Sequence, residues 1–440
     1  VIAALRLWAG LARRQGGDRL TTGLAVLAFT AVTWALLTTL GGVHAFVERA
    51  RAEAEGFDEL IYVVLSLTAA ALILVPLVTL GGAAARLAVA RRNARMAALR
   101  LAGATTGQVS AMAVAEALTQ AVAGALLGAV LHGATLPLVA LLPFQGRTFD
   151  VAELWVGGWA AIALPAVPLV ALVSALAALR RVAISPLGVA RRLPPKRLSW
   201  TRLVPLVAVG GVFAAAAGGM FQVELVFLLA ILLVTLAGAM WVFTLVGPWL
   251  VSVIGRVAVR RAHSVPTLLA ARRLVDDPKA AWRSVGGVAL IAFVAGVLSV
   301  SPAMSATAEE ADRYLGIDIA TGTAVTLVIA ALLAAVSTGV TQAGRALDSA
   351  TEYRALHLAG TEVGTLHAAR MRETALPLVV CVGGASVTSL LMITPYLDSL
   401  AQEPIGLVLF AGSVVVGCAL VLAGTAASRR MVDRAARSLA

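Results

Sequence analysis

Charge is what this sequence has least of. Only 13% of its 440 residues are Asp, Glu, Lys or Arg, against 60% hydrophobic residues, and the mean hydropathy is +0.93. That balance excludes an ordinary soluble domain, in which about a quarter of the residues are charged. The two cysteines, Cys381 and Cys418, stand inside long apolar runs, so a disulfide-stapled scaffold is excluded and both read as small apolar side chains. Lysine occurs only at Lys196 and Lys279, neither in a glycine-rich phosphate loop. With no Walker A sequence, the chain is not expected to hydrolyse ATP by itself. The HExxH and GxSxG patterns are missing too. The histidines, His44, His132, His263, His357 and His367, make no metal-ligand spacing with a nearby carboxylate or cysteine. Neither an intrinsic enzyme activity nor a directly bound cofactor or metal is expected.

Long apolar runs fill the space. A helix needs about 20 apolar residues to cross a bilayer, and about ten such runs can be placed, at roughly 20–46, 59–82, 108–131, 153–179, 203–221, 225–254, 285–304, 319–343, 366–394 and 405–427. The short alternating segments of a membrane β-barrel are not seen. The fold class is therefore all-α, a polytopic membrane protein. Charge sorts the connections independently. The N-terminus, 83–107, 180–202, 255–284, 344–372 and the C-terminus carry 31 of the 35 Lys and Arg. The other side has Arg49, Arg51, Arg147 and Arg313, with 14 of the 23 acidic residues. Positively charged loops stay cytoplasmic, so both termini are expected inside.

The net charge of +12 thus points to an anionic membrane surface as partner, and no nucleic acid is expected. Residues 1–19 set Arg6, Arg13 and Arg14 among Ile2, Leu5, Trp8 and Leu11, which suits an amphipathic helix at the interface rather than a cleavable leader. Abundant alanine with almost no lysine is the bias of a high-GC bacterial genome, so the expected location is the bacterial inner (cytoplasmic) membrane, as a multi-pass protein.

One feature organises the chain. Residues 95–107, "RMAALRLAGATTG", align without a gap with 352–364, "EYRALHLAGTEVG", at an offset of 257. From Ala98 to Glu116, 8 of 19 positions are identical to those 257 later, including Leu99/Leu356, Gly103/Gly360, Gly107/Gly364 and Glu116/Glu373. The basic lead-ins agree weakly, Ala12-Arg13-Arg14 with Ala271-Arg272-Arg273. The expected organisation is a first four-span repeat over 1–182, a basic linker with a central two-span hairpin over 183–262, and a second four-span repeat over 263–440. An even number of spans between the copies makes the repeats parallel. The third span carries Ala113, Ala117, Ala121, Gly124 and Gly128 about one helical turn apart, a stripe that would let helix backbones approach closely. The outer connections 47–58 and 305–318 are short and acidic, with Glu48, Glu53, Glu55, Asp58, Glu309, Glu310 and Asp312. Neither leaves room for a large extracellular domain.

The repeated connector has its own mechanics. Met96 and Leu99, like Tyr353 and Leu356, are spaced i, i+3 and give a short helix one apolar face. Gly103 and Gly360 follow where a left-handed C-cap favours glycine. A short capped helix across the cytoplasmic span ends would pass motion to those spans if a soluble partner gripped it. Glu116 and Glu373 lie within spans, where a carboxylate is a functional candidate. Their depth, two to three turns past the span start, favours bonding to a neighbouring helix end over proton coupling.

These residues resemble the FtsX-like permease family of ABC transporters. There, a cytoplasmic stretch of the type E-x-x-L-x-x-x-G-(A/T) precedes a span carrying "EA" and spaced glycines. The matches are "RMAALRLAGATTGQVSAMAVAEALTQAVAGALLG" and "EYRALHLAGTEVGTLHAARMRETALPLVVCVGG", and "SPLGVAR", Ser185 to Arg191, is similar to the tail after the fourth span. The resemblance covers both four-span repeats. It implies that the connectors are coupling helices, each docked on one of two separate ABC ATPase subunits, with ATP and Mg bound by those partners. The docking residues would be Arg95, Met96, Leu99, Arg100 and Gly103 in one copy, and Glu352, Tyr353, Leu356, His357 and Gly360 in the other. The glutamate that opens the family's coupling helix is matched by Glu352 but stands as Arg95 in the first copy, so the two docking sites should be unequal. The implied function is a permease subunit that exports or extracts an amphipathic substrate, such as an antimicrobial peptide, an antibiotic or a lipid. Two other readings stay open: a mechanotransmitting or sensory subunit acting on a kinase or cell-wall enzyme without transport, and a secondary transporter.

Overall fold

The computed structural model describes residues 19–52, 57–90, 105–183, 246–299, 302, 310–348, 355, 358–392 and 404–427. Its helices are α1 (Arg19–Ala52), α2 (Phe57–Ala90), α3 (Thr106–Ala140), α4 (Ala160–Ala183), α5 (246–260), α6 (Val265–Asp276), α7 (Pro278–Leu298), α8 (Glu310–Asp348), α9 (Val363–Met392) and α10 (Ile405–Ala427). Among the described residues, 6 helical stretches are long and apolar enough to cross a membrane: Thr22–Ala52, Gly107–Ala140, Gly157–Leu176, Tyr314–Thr341, Val363–Leu391 and Ile405–Ala426. This is the architecture of a polytopic helical membrane protein. Two more expected spans are helical with shorter apolar stretches, Leu60–Ala71 and Ser284–Leu298. The expected span at 203–221, and most of that at 225–254, lie outside the described residues.

The helices outrun the expected spans. α8 has 39 residues, about 58 Å at 1.5 Å per residue, against a hydrocarbon core of about 30 Å. Two expected outer connections shrink as a result. α1 continues to Ala52 before α2 starts at Phe57, and α8 starts at Glu310, inside the stretch read as the loop 305–318. Charged residues end an apolar window, but they do not end a helix. Glu310 and Asp312 sit in the first turn of α8, where the helix dipole favours negative charge.

The chain divides into two compact units, one of residues 1–56, 73–192 and 336–349, the other of 57–72, 193–335 and 350–440. In the first unit α1 runs along α3, and α4 packs on both. The small-residue stripe explains the pairing. Ala113, Ala117 and Ala121 are buried, and a methyl group on Gly124 would overlap Phe29, while one on Gly128 would overlap Thr33 and its neighbours. Phe29 is wholly buried in that notch. Lipid offers no apolar contrast to drive helices together, so van der Waals contact and hydrogen bonds across such seams must hold them. The bonds are present: Trp34 Nε1 donates to Thr135 Oγ1 at 2.9 Å, and Thr38 Oγ1 meets His132 Nδ1 at 3.2 Å.

The end of this unit after α3 departs from an all-helical expectation. Strands β1 (Pro143–Phe144) and β2 (Arg147–Thr148) form a two-residue antiparallel hairpin pairing Phe144 with Arg147. Its turn puts Gln145 and Gly146 at φ 57 and 72, the left-handed pair of a type I′ turn. Glutamine is an unusual first residue for that turn, which hid the hairpin in the sequence. Arg49, at the end of α1, holds it. The guanidinium donates to Glu153 Oε2 at 2.8 and 2.9 Å, to the Phe144 and Thr148 carbonyls at 3.3 and 3.1 Å, and to Gln145 Oε1 at 3.0 Å. It also lies 4.2 Å from the centre of the Phe149 ring, which packs with Phe46 and Phe144. The neighbouring Arg51 pairs with Glu48 at 2.7 Å. Two of the arginines that break the charge asymmetry are thus matched by local carboxylates.

In the second unit α7 runs along α9, and α10 packs on both. Close approach recurs: a methyl on Gly296 would overlap Ser389, one on Gly406 the Ser299 carbonyl, and one on Gly424 the Ala335 carbonyl. Asp277 caps α7 by accepting from the Ala280 N–H at 3.0 Å, and Pro278 supplies a first-turn residue with no N–H to satisfy. Tyr62 of α2 donates to Asp318 Oδ2 of α8 at 2.7 Å with both residues buried.

Two outcomes test this packing. Gly128→Val should destabilise the protein by roughly 1–3 kcal/mol through overpacking, while Gly133→Ala, where a methyl group meets nothing within 4 Å, should be neutral in the same detergent-melting assay. Arg49→Ala should cost about 3 kcal/mol by leaving the Glu153 charge without its partner, and Arg49→Lys should not restore it, because an ammonium cannot span the same five acceptor contacts.

Candidate functional site

Of the expected connector residues, Arg95, Met96, Leu99, Arg100, Gly103, Glu352, Tyr353, Leu356 and His357 lie outside the described residues, whereas Gly360 lies within them. Gly360 is exposed at φ +93, the left-handed conformation expected of a helix C-cap glycine. Just before it the Ala359 N–H bonds to the Ala355 carbonyl at 2.9 Å, the i to i−4 pairing of a helix. Leu358 on that turn is 78% exposed, a large apolar side chain presented outward. The chain then reverses, and Thr365 N–H and Leu366 N–H bond to the Glu362 carbonyl at 3.0 and 3.4 Å to start α9.

The first copy opens its helix at the matching place. α3 begins at Thr106 and α9 at Val363, and 363 − 106 = 257, the offset of the sequence match. The caps differ. Thr105 accepts from the Gln108 N–H at 3.3 Å while the Gln108 side chain accepts from the Thr105 N–H at 2.9 Å, a capping box. The aligned residues of the second copy are Glu362 and Thr365.

Glu116 and Glu373 also occupy matching positions and do different things. Glu373 is buried, and its Oε2 lies 3.7 Å from Arg273 Nη1 of α6. Buried Arg370 and Thr374 flank it on α9. One residue before it, Arg372 donates to the Ser264 and Thr267 hydroxyls at the start of α6. The 12-residue helix α6, whose Ala270, Ala271 and Leu274 are buried, is therefore tied to α9 near both of its ends. Glu116, half-buried, accepts from Gln120 Nε2 at 3.3 Å, and the same nitrogen lies 3.5 Å from Thr22 Oγ1 of α1. Here the polar link runs through a glutamine, whose aligned residue in α9 is Pro377.

The ties at Ser264 and Thr267 escaped sequence reasoning, since single hydroxyls carry no spacing signal. Arg273 was marked by the weak lead-in match alone. Among the described residues no group of three or more His, Cys, Asp or Glu is placed to hold a metal. No family model, curated protein or solved structure matches the chain.

Removing the acid at this joint should show. Glu373→Gln should lower stability by roughly 1–3 kcal/mol through loss of a charge-assisted contact to Arg273. Arg273→Glu combined with Glu373→Arg should recover part of that loss in a double-mutant cycle of melting temperatures. Glu116→Gln keeps an acceptor for Gln120 Nε2 and should cost less.

Proposed function

We propose that the chain is the membrane subunit of an ABC transporter, built as two parallel FtsX-like four-span repeats joined by a central two-span hairpin, ten spans in all, with both termini cytoplasmic in a bacterial inner membrane. Separate ATPase subunits, one per connector, bind ATP and Mg and hydrolyse the nucleotide. The observation that carries the reading is the repeated connector: a turn ended by left-handed Gly360, presenting Leu358 outward, directly before α9. The shared helix start at the 257 offset supports the duplication.

The mechanics follow from the joint. Closure of the ATPase pair would press the connectors, and a connector that ends at α9 moves α9 together with α6, because Arg273–Glu373 and the Arg372 hydroxyl contacts hold them together. Such rigid-body displacement is how a bistable packed interface is switched. An amphipathic substrate, a peptide, antibiotic or lipid, would enter from the bilayer. The exposed apolar faces of the spans, with Leu126, Val130, Leu138 and Ile162 among them, suit that medium. The same connector and joint would also serve a mechanotransmitting subunit, which shares the ATPase and lacks the flux.

Co-expression with the cognate ATPase should yield a stable complex. Leu356→Asp and Gly360→Pro should each weaken it at least tenfold, Gly360→Pro because proline cannot adopt φ +93. Wild-type complex formation and ATPase activity in both variants would sink the coupling assignment. ATP-dependent substrate movement in proteoliposomes separates transport from signalling without flux.

A further inference from the structure

The cytoplasmic joint has a second face that the coupling reading leaves unused. α5 ends against α6: a methyl group on Gly255 would meet Leu274 and Val275 at 3.0 Å and the Ala271 carbonyl at 3.2 Å. The chain then turns through 261–264 and enters α6, whose first turn is bonded by Arg372 of α9. Three elements therefore meet at the beginning of α6. On their outer side Arg256, Arg260, Arg261 and Arg372 are all exposed, as is His263. The exposed carboxylates Asp276 and Asp277 stand about 18 Å from the start of α6 along a helix of this length, beyond the Val275 that Gly255 approaches. Between the arginines, Val265 is 61% and Val257 45% exposed.

A basic cluster beside outward-facing valines, at the end of a membrane helix, has the chemistry of a surface that meets a lipid leaflet edge-on. The valines reach acyl chains while the guanidiniums take phosphates, which they grip with paired N–H donors. An acidic protein surface would match the arginines but leave both valines in water or against a polar rim. We propose that the exposed arginine face formed by the end of α5 and the start of α6 is a binding surface for anionic phospholipid headgroups. Arg256, Arg260 and Arg261 supply the charge, and Val257 and Val265 set the depth. The surface rests on the membrane architecture alone and does not depend on the ATPase reading.

The full chain, purified in mild detergent and offered phosphatidylglycerol or phosphatidylcholine, tests this by native mass spectrometry. Wild type should retain phosphatidylglycerol in preference to phosphatidylcholine. Each arginine near a membrane surface contributes roughly fivefold in affinity, so the triple variant Arg256→Gln, Arg260→Gln, Arg261→Gln should lose tenfold or more of the retained anionic lipid. The corresponding triple lysine variant should keep most of it. A control pair, Arg51→Gln with Arg147→Gln, removes exposed arginines from the first unit and should change nothing. Equal retention by the glutamine variant and wild type would overturn the proposal. So would an equal loss in the control pair, or loss of a co-purifying acidic protein with lipid retention unchanged.

Discussion

A carboxylate inside a membrane protein persists only with a partner, and Glu373 has Arg273. That pair joins α9 to α6. Beside it, α6 buries Ala270, Ala271 and Leu274, and Arg372 donates to hydroxyls at its start. The pair and the Arg372 hydroxyl contacts join α6 to α9. On the proposed coupling reading, a partner that moves the connector would move both helices together.

The spans themselves are held by shape. In both units the long helices touch where one side is glycine or alanine: Gly124 and Gly128 against α1, Gly296 against α9, Gly406 and Gly424 against neighbouring backbone carbonyls. Contacts of this kind are short-ranged and lose energy steeply with a small gap. Packing of this type is suited to discrete arrangements rather than gradual deformation. The hairpin clamped by Arg49 is the opposite kind of element, a knot of charge-assisted hydrogen bonds at one end of the first unit.

Much of this was legible in the residues. Helical membrane architecture follows from composition and run length, and the stripe from Ala113 to Gly128 has the spacing of the seam that packs on α1. Gly360 was expected in a left-handed cap, and it is. What stayed hidden has a physical reason in each case. Helix ends were misplaced because hydropathy reports lipid contact, whereas backbone hydrogen bonding carries α8 outward to Glu310. The 143–148 hairpin was missed because its turn uses Gln145. Tyr62 and Asp318 are 256 positions apart and carry no common pattern. The unequal handling of Glu116 and Glu373 depends on substitutions around them, Ala113 against Arg370 and Gln120 against Pro377, that no single motif displays.

The account turns on the connector turn being the surface that an ATPase grips. A photo-crosslinking residue introduced at position 358, whose leucine is 78% exposed, tests this most directly in native membranes. The account predicts an adduct whose peptides belong to an ATP-binding-cassette ATPase, with none from a probe at position 138, whose leucine is 67% exposed on α3. ATPase adducts absent from position 358, or equal at the two positions, would contradict it.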